Sequence, residues 1–216
     1  MSTRLLEDHG QGGADAPPAL WDPIVRISHW GVAAIVLANG VFNKGGGTLH
    51  IWLGWIGMAL LALRLIWGVI GTPEARFSAF PPNPKAALSH LADLVGGRPR
   101  DYASHNPAGA LMVYAFWAML CVVIASGLVM TDGVSPMRIA DQQAAVAAGD
   151  WSVLVTEDDG AEDGNSGEEA GEWIKEMHEI AANLLLLLAV LHVAAVVLET
   201  RAMRRNLVAP MIIGRR

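Results

Sequence analysis

The stretch EMHEIAANLLLLLAVLHVAAVVLE, residues 176–199, decides the fold. From Ile180 to Leu198 it carries no charged residue, and a helix that crosses a bilayer needs roughly 17–25 predominantly apolar residues. Yet His178 stands at its lip and His192 in its middle. Polar groups at such depth are costly and mark function. The two histidines are fourteen residues apart. That is close to four full turns, so they share one helix face, roughly 21 Å apart along the axis.

Three more apolar blocks lie upstream: Ile27–Phe42, Ile51–Ile70 and Ala108–Met130. The chain of 216 residues is 53% hydrophobic and only 17% charged, against about a quarter charged in soluble domains. The expected fold is all-α: an integral membrane four-helix bundle with spans at about 24–43, 50–71, 107–131 and 177–199. The first span is the weakest, since it reaches full length only by extending back past Arg26 to Ile24. Residues 1–20 hold one Arg, acidic residues and no apolar core, so they read as a flexible cytoplasmic tail rather than a secretory signal. Residues 21–216 form the transmembrane domain.

Eleven of the fifteen Lys and Arg residues flank one side of the spans, namely Arg4, Arg26, Arg76, Lys85, Arg98, Arg100, Arg201, Arg204, Arg205, Arg215 and Arg216. Only Lys44, Arg138 and Lys175 flank the other, and Arg64 lies within a span. Positive charge stays inside, so both termini and the 72–106 connection are expected in the cytoplasm. The single cysteine, Cys121, excludes an intramolecular disulfide, a CxxC pair and a CxxCH haem attachment. The net charge of −6 gives no reason to expect nucleic acid.

NKGGGT at 43–48 reads as a tight turn that makes the first two helices an antiparallel hairpin. KAALSHLADLVGG at 85–97 has amphipathic spacing suited to the membrane surface. The periplasmic connection 132–176 holds twelve acidic and two basic residues, and is expected to be mobile for want of apolar content.

Four of the seven histidines belong to apolar blocks: His29, His50, His178 and His192. With helices alternating in direction, His29 and His192 fall at the inner level, and His50 and His178 at the outer one. Two facing imidazoles at each of two levels suit bis-histidine ligation of two stacked haems. Gly31, Gly54, Gly57 and Ala181 are small enough to admit a flat ring near the helices. A lone membrane histidine is often just an interhelical hydrogen bond, but that does not account for level pairing. One zinc ion cannot reach four histidines at two depths. A proton relay usually recruits intramembrane carboxylates, and the apolar blocks have none.

Arg64 follows His50 by fourteen residues and so shares its face at the inner level. Either it binds a haem propionate or quinone oxygen, or it snorkels to the headgroups. Trp21, Trp30, Trp52, Trp67 and Trp173 flank spans as an interfacial belt does. Trp55 and Trp117 lie deeper, where they can touch a haem edge.

WDPIVRISHW (21–30), LHIWLGWIGMALLALRLIWG (49–68), HNPAGALMVYAFWAML (105–120) and EMHEIAANLLLLLAVLHVAA (176–195) together resemble the bacterial cytochrome b561 family. They are also similar to the related cytochrome b subunit of nickel–iron hydrogenases. The resemblance implies two non-covalent haems b, with His29, His50, His178 and His192 at the family's ligand positions. It implies electron transfer across the inner membrane between a quinone pool, such as ubiquinone, and another redox centre. His105, in HNPAG, then reads as structural or near a quinone. The acidic connection is the departure from the pattern.

The favoured function is an electron-transfer subunit rather than a stand-alone enzyme. Its partner would be periplasmic, a hydrogenase-like protein or a basic c-type cytochrome drawn by the acidic segment. A homodimer is compatible with the same reading. The alternative is a superoxide:quinone oxidoreductase, disfavoured because an acidic face repels the superoxide anion. A haem-free transporter or anchor leaves the paired histidines without purpose.

Overall fold

The computed structural model describes residues 21–43, 45–98, 100–102, 104–154 and 164–213. These form seven α-helices: α1 (Pro23–Leu37), α2 (Thr48–Ile70), α3 (Pro84–Val95), α4 (Pro107–Met130), α5 (Pro136–Ala147), α6 (Gly164–Ala202) and α7 (Ala209–Ile212). Four helical segments are long and apolar enough to cross a membrane: Pro23–Phe42, Thr48–Ile70, Pro107–Met130 and Glu169–Ala202. The first reaches that length because α1 continues as one π-helical turn, Ala38–Phe42. Large apolar side chains stand exposed along these helices, among them Ile27, Val69, Val129, Val190 and Leu198. Soluble monomers rarely expose contiguous apolar patches larger than a few hundred Å². Lipid is the solvent that suits these side chains.

The chain divides into two compact units. The first comprises the described residues of Met1–His29, Leu63–Ala115 and Val190–Arg216. Here the Asp22 carboxylate accepts from the backbone N–H of Ile24 and Val25, at 2.8 and 3.3 Å. It thereby satisfies donors that every helix N-terminus leaves open, and Pro23 occupies the position that needs no N–H. The Arg26 guanidinium donates to the Met211 and Ile212 carbonyls at 3.2 and 2.6 Å, closing the end of α7. Asn83 caps α3 through the Ala86 N–H. Two short 3-10 turns, Pro73–Ala75 and Phe77–Ala79, follow α2. Gly68 matters here. A β-carbon on it would overlap the Phe77 ring, so only glycine lets that ring lie against α2.

α3 has the amphipathic character expected of 85–97. Ala87 and His90 are buried, while Leu88, Leu91 and Val95 are exposed. One expectation needs refining. His90 sits on a surface-type helix, yet it is only 3% exposed, with Nε2 3.7 Å from a Glu199 carboxylate oxygen. That carboxylate also accepts two hydrogen bonds from the Asn106 amide, at 2.9 and 2.8 Å. Asn106 caps α4 as well, its Oδ1 accepting from the Gly109 N–H at 2.7 Å.

The second unit comprises the described residues of Trp30–Ala62 and Phe116–Ala189. Its close approaches rest on glycine. A β-carbon on Gly31 would meet Leu60 at 2.6 Å, and one on Gly40 would meet Leu186 at 2.8 Å. The turn between α1 and α2 uses Gly46 at φ +75°, a conformation glycine adopts freely. The Asn39 amide in the π turn donates to the His50 carbonyl at 3.1 Å, tying the two helix ends together.

The segment 132–176, expected to be a mobile connection, carries two helical pieces. α5 occupies Pro136–Ala147, capped by Ser135 with Pro136 at its first position. α6 begins already at Gly164, thirteen residues before the span read from the sequence. The reason is that this segment's apolar content is not needed for helix formation once it continues a stable helix, because propagation adds a hydrogen bond for each residue fixed. Residues 155–163, the centre of the acidic run, lie outside the described residues, as does the tail 1–20.

Candidate functional site

Each unit brings together one pair of histidines. In the first, His29 from α1 and His192 from α6 have ring centroids 6.2 Å apart at an interplanar angle of 57°. In the second, His50 from α2 and His178 from α6 have centroids 6.1 Å apart at 64°. Each pair therefore joins residues far apart in the chain. His178 and His192 are both on α6, as the fourteen-residue spacing requires.

The separations test whether an axially ligated iron fits. A metal–imidazole bond is about 2.0 Å, so one ion held between two facing imidazoles would leave their ring centres on the order of 6 Å apart. Both pairs match that span. Among the described residues no cluster of three or more His, Cys, Asp or Glu could hold a metal ion. The two separate histidine pairs would suit haem and not a tetrahedral zinc site.

The surroundings of the histidines differ in detail. Ser126 of α4 is 2% exposed, and its Oγ lies 2.9 Å from His178 Nδ1. Next to it, a β-carbon on Gly127 would come 3.4 Å from His178 Cε1, so the imidazole lies against the α4 backbone. His50 Nδ1 is buried and makes no hydrogen bond among the described residues. Of the glycines read as room for a flat ring, Gly31 and Gly57 face Leu60 and Ile35 instead, and so serve helix packing. Gly54, one turn from His50, faces open space. Ala181, 5% exposed, is part of the packed interior.

Arg64 is 8% exposed, and its guanidinium donates to the Ala75 carbonyl at 3.1 Å. Asp22 and Tyr114 are its electrostatic neighbours. The side chain therefore turns into the protein against the 73–75 turn. His105 belongs to the same unit, its ring 4.6 Å from Phe80 and 5.3 Å from Trp21. Ser104 Oγ lies 3.3 Å from its Nδ1. Burial, reinforced by the positive charge of Arg64 and by His192 and His29, pushes the His105 imidazole down to about 4. It is neutral at physiological pH.

Sequence reasoning missed Ser126 and the Asn106–Glu199–His90 cluster. Ser126 is one polar residue in a run of small and apolar ones, and nothing in its spacing distinguishes it. HNPAG did single out Asn106, but its partner Glu199 is 93 residues away.

The chain matches the family model described as prokaryotic cytochrome b561 over residues 20–214. No curated protein and no solved structure matches it.

Proposed function

The chain belongs to the prokaryotic cytochrome b561 family, and from that premise we propose that it is a di-haem cytochrome carrying electrons across the bacterial inner membrane. The coarser statement follows from the family and the four apolar helices: it is a multi-pass membrane b-type cytochrome that binds haem b and works in electron transfer. In the finer reading, His29 and His192 ligate one haem b, and His50 and His178 the other. The observation that carries it is the pair of imidazole separations, 6.2 and 6.1 Å.

Haem supplies the one-electron chemistry; the protein supplies ligation, spacing and a low dielectric. The chain's own residues then have definite tasks. The four imidazoles act as neutral nitrogen donors. Arg64 holds a buried positive charge beside His105, in the unit that contains His29 and His192, where it balances a propionate or a quinone oxygen. His105 stays neutral there and shapes the surroundings without ligating. Electrons pass between the quinone pool on one hand and a periplasmic redox protein on the other. The eleven-to-three distribution of Lys and Arg supports cytoplasmic termini. The net charge of −10 over 132–176, twelve acidic against two basic residues, favours a basic partner such as a c-type cytochrome.

Haem b per chain, determined as the pyridine haemochrome, tests the ligand assignment. Wild type should hold two. His178→Ala and His192→Ala should each lose or perturb a different one. A single haem in the wild type overturns the two-site reading, and unchanged haem in both variants overturns the ligand set.

A further inference from the structure

Ser126 sits in the second half of α4 with its hydroxyl in three contacts. Oγ is 2.7 Å from the Val122 carbonyl, 3.1 Å from the Val123 carbonyl and 2.9 Å from His178 Nδ1. A hydroxyl has one proton and two lone pairs. The short contacts to the Val122 and Val123 carbonyls, which can only accept, assign that proton to the helix backbone, in the back-bonded geometry common for serine within helices. What remains toward His178 is a lone pair. The nitrogen facing a lone pair must carry the hydrogen, which leaves the Nε2 lone pair free.

We propose that Ser126 is a positioning residue that holds His178 as the Nδ1–H tautomer and leaves Nε2 as the nitrogen that would bind haem iron. The inference rests on His178 being a ligand. Two features show that this seat is built for one ring. The serine is 2% exposed, so water does not compete for the contact. Gly127 beside it keeps the α4 backbone close to the ring, since even a β-carbon there would already touch Cε1 at 3.4 Å. The opposite ring has no such anchor, for His50 Nδ1 makes no hydrogen bond among the described residues. Among the described residues the two rings are therefore held differently: His178 has a hydrogen-bond partner at Nδ1, and His50 has none there. An outer hydrogen bond to a ligating imidazole fixes its orientation and raises its basicity. A more basic ligand favours ferric iron and lowers the reduction potential.

The test is redox titration and low-temperature EPR of the purified holoprotein, in wild type and in Ser126→Ala, Ser126→Thr and Ser126→Val. Thr and Val match in shape and differ in the hydroxyl. Ser126→Ala and Ser126→Val should shift one of the two midpoint potentials upward and move the ferric low-spin g-values of that haem alone. Ser126→Thr should stay at the wild-type values. Equal behaviour of Thr and Val overturns the proposal, even if the alanine variant fails to assemble. His178→Ala separates the two readings: if it keeps both haems, the ligand assignment fails. If it loses one while Thr and Val behave alike, only the role of Ser126 fails.

Discussion

His105 shows how one residue responds to the field around it. Its imidazole is pushed from the ordinary value of 6.5 down to about 4, by burial first and then by Arg64, His192 and His29. The folded protein thus binds this proton more weakly than the unfolded chain does. Stability from this group is fully present above about pH 6.5 and is lost as the pH falls toward 4. Replacing it with glutamine keeps a polar side chain that does not titrate. His105→Gln should therefore show a smaller fall in thermal midpoint between pH 7.5 and pH 4.5 than wild type, measured in detergent by loss of the haem absorbance. Parallel falls would mean that His105 does not carry this acid sensitivity. Arg64, at 8% exposure, shows the same principle from the other side. A guanidinium turned into the protein must be hydrogen-bonded, and the Ala75 carbonyl provides one acceptor.

At the scale of elements, the junction of α4 with the end of α6 depends on a single side chain. Asn106 accepts from the Gly109 N–H and donates to both oxygens of Glu199. Removing a cap costs about 1 kcal/mol, and hydrogen bonds to a charged group contribute about 1.5–3 kcal/mol. Asn106→Ala should lower the thermal midpoint by several degrees, and Asn106→Asp should not restore it. Aspartate keeps the cap but sets a second carboxylate against Glu199. An unchanged midpoint in the alanine variant would show that the junction is held elsewhere. The π turn at Ala38–Phe42 is a second case. It extends α1 to span length and directs the Asn39 amide onto the His50 carbonyl, and such turns recur near functional sites.

At the scale of the whole molecule, charge sets orientation and encounter. The basic flanks predict that a fluorescent reporter fused after Arg216 folds in the cytoplasm, whereas alkaline phosphatase fused there stays inactive. The reverse pattern would invert the orientation. The twelve acidic residues of 132–176 predict that electron transfer to a basic c-type cytochrome slows as ionic strength rises. Stopped-flow rates from about 10 to 200 mM salt measure this, since the Debye length falls from roughly 30 Å at 10 mM to roughly 8 Å at 150 mM. A salt-independent rate would remove the acidic segment from partner recognition.

Hydrophobic run length and helical periodicity are local properties, so the sequence by itself determined four spans and the common face of His178 and His192. Charge bias along the chain likewise carried an expected orientation, and HNPAG marked the start of α4. Partner distances are different, because they depend on how faces from distant segments meet. Only the tertiary structure set the His29–His192 and His50–His178 separations, turned Arg64 inward onto Ala75, and joined Asn106 to Glu199. It alone brought Ser126 against His178. A serine within an apolar helix has no periodic signature; its role comes from the ring packed on the neighbouring helix, 52 residues further along the chain.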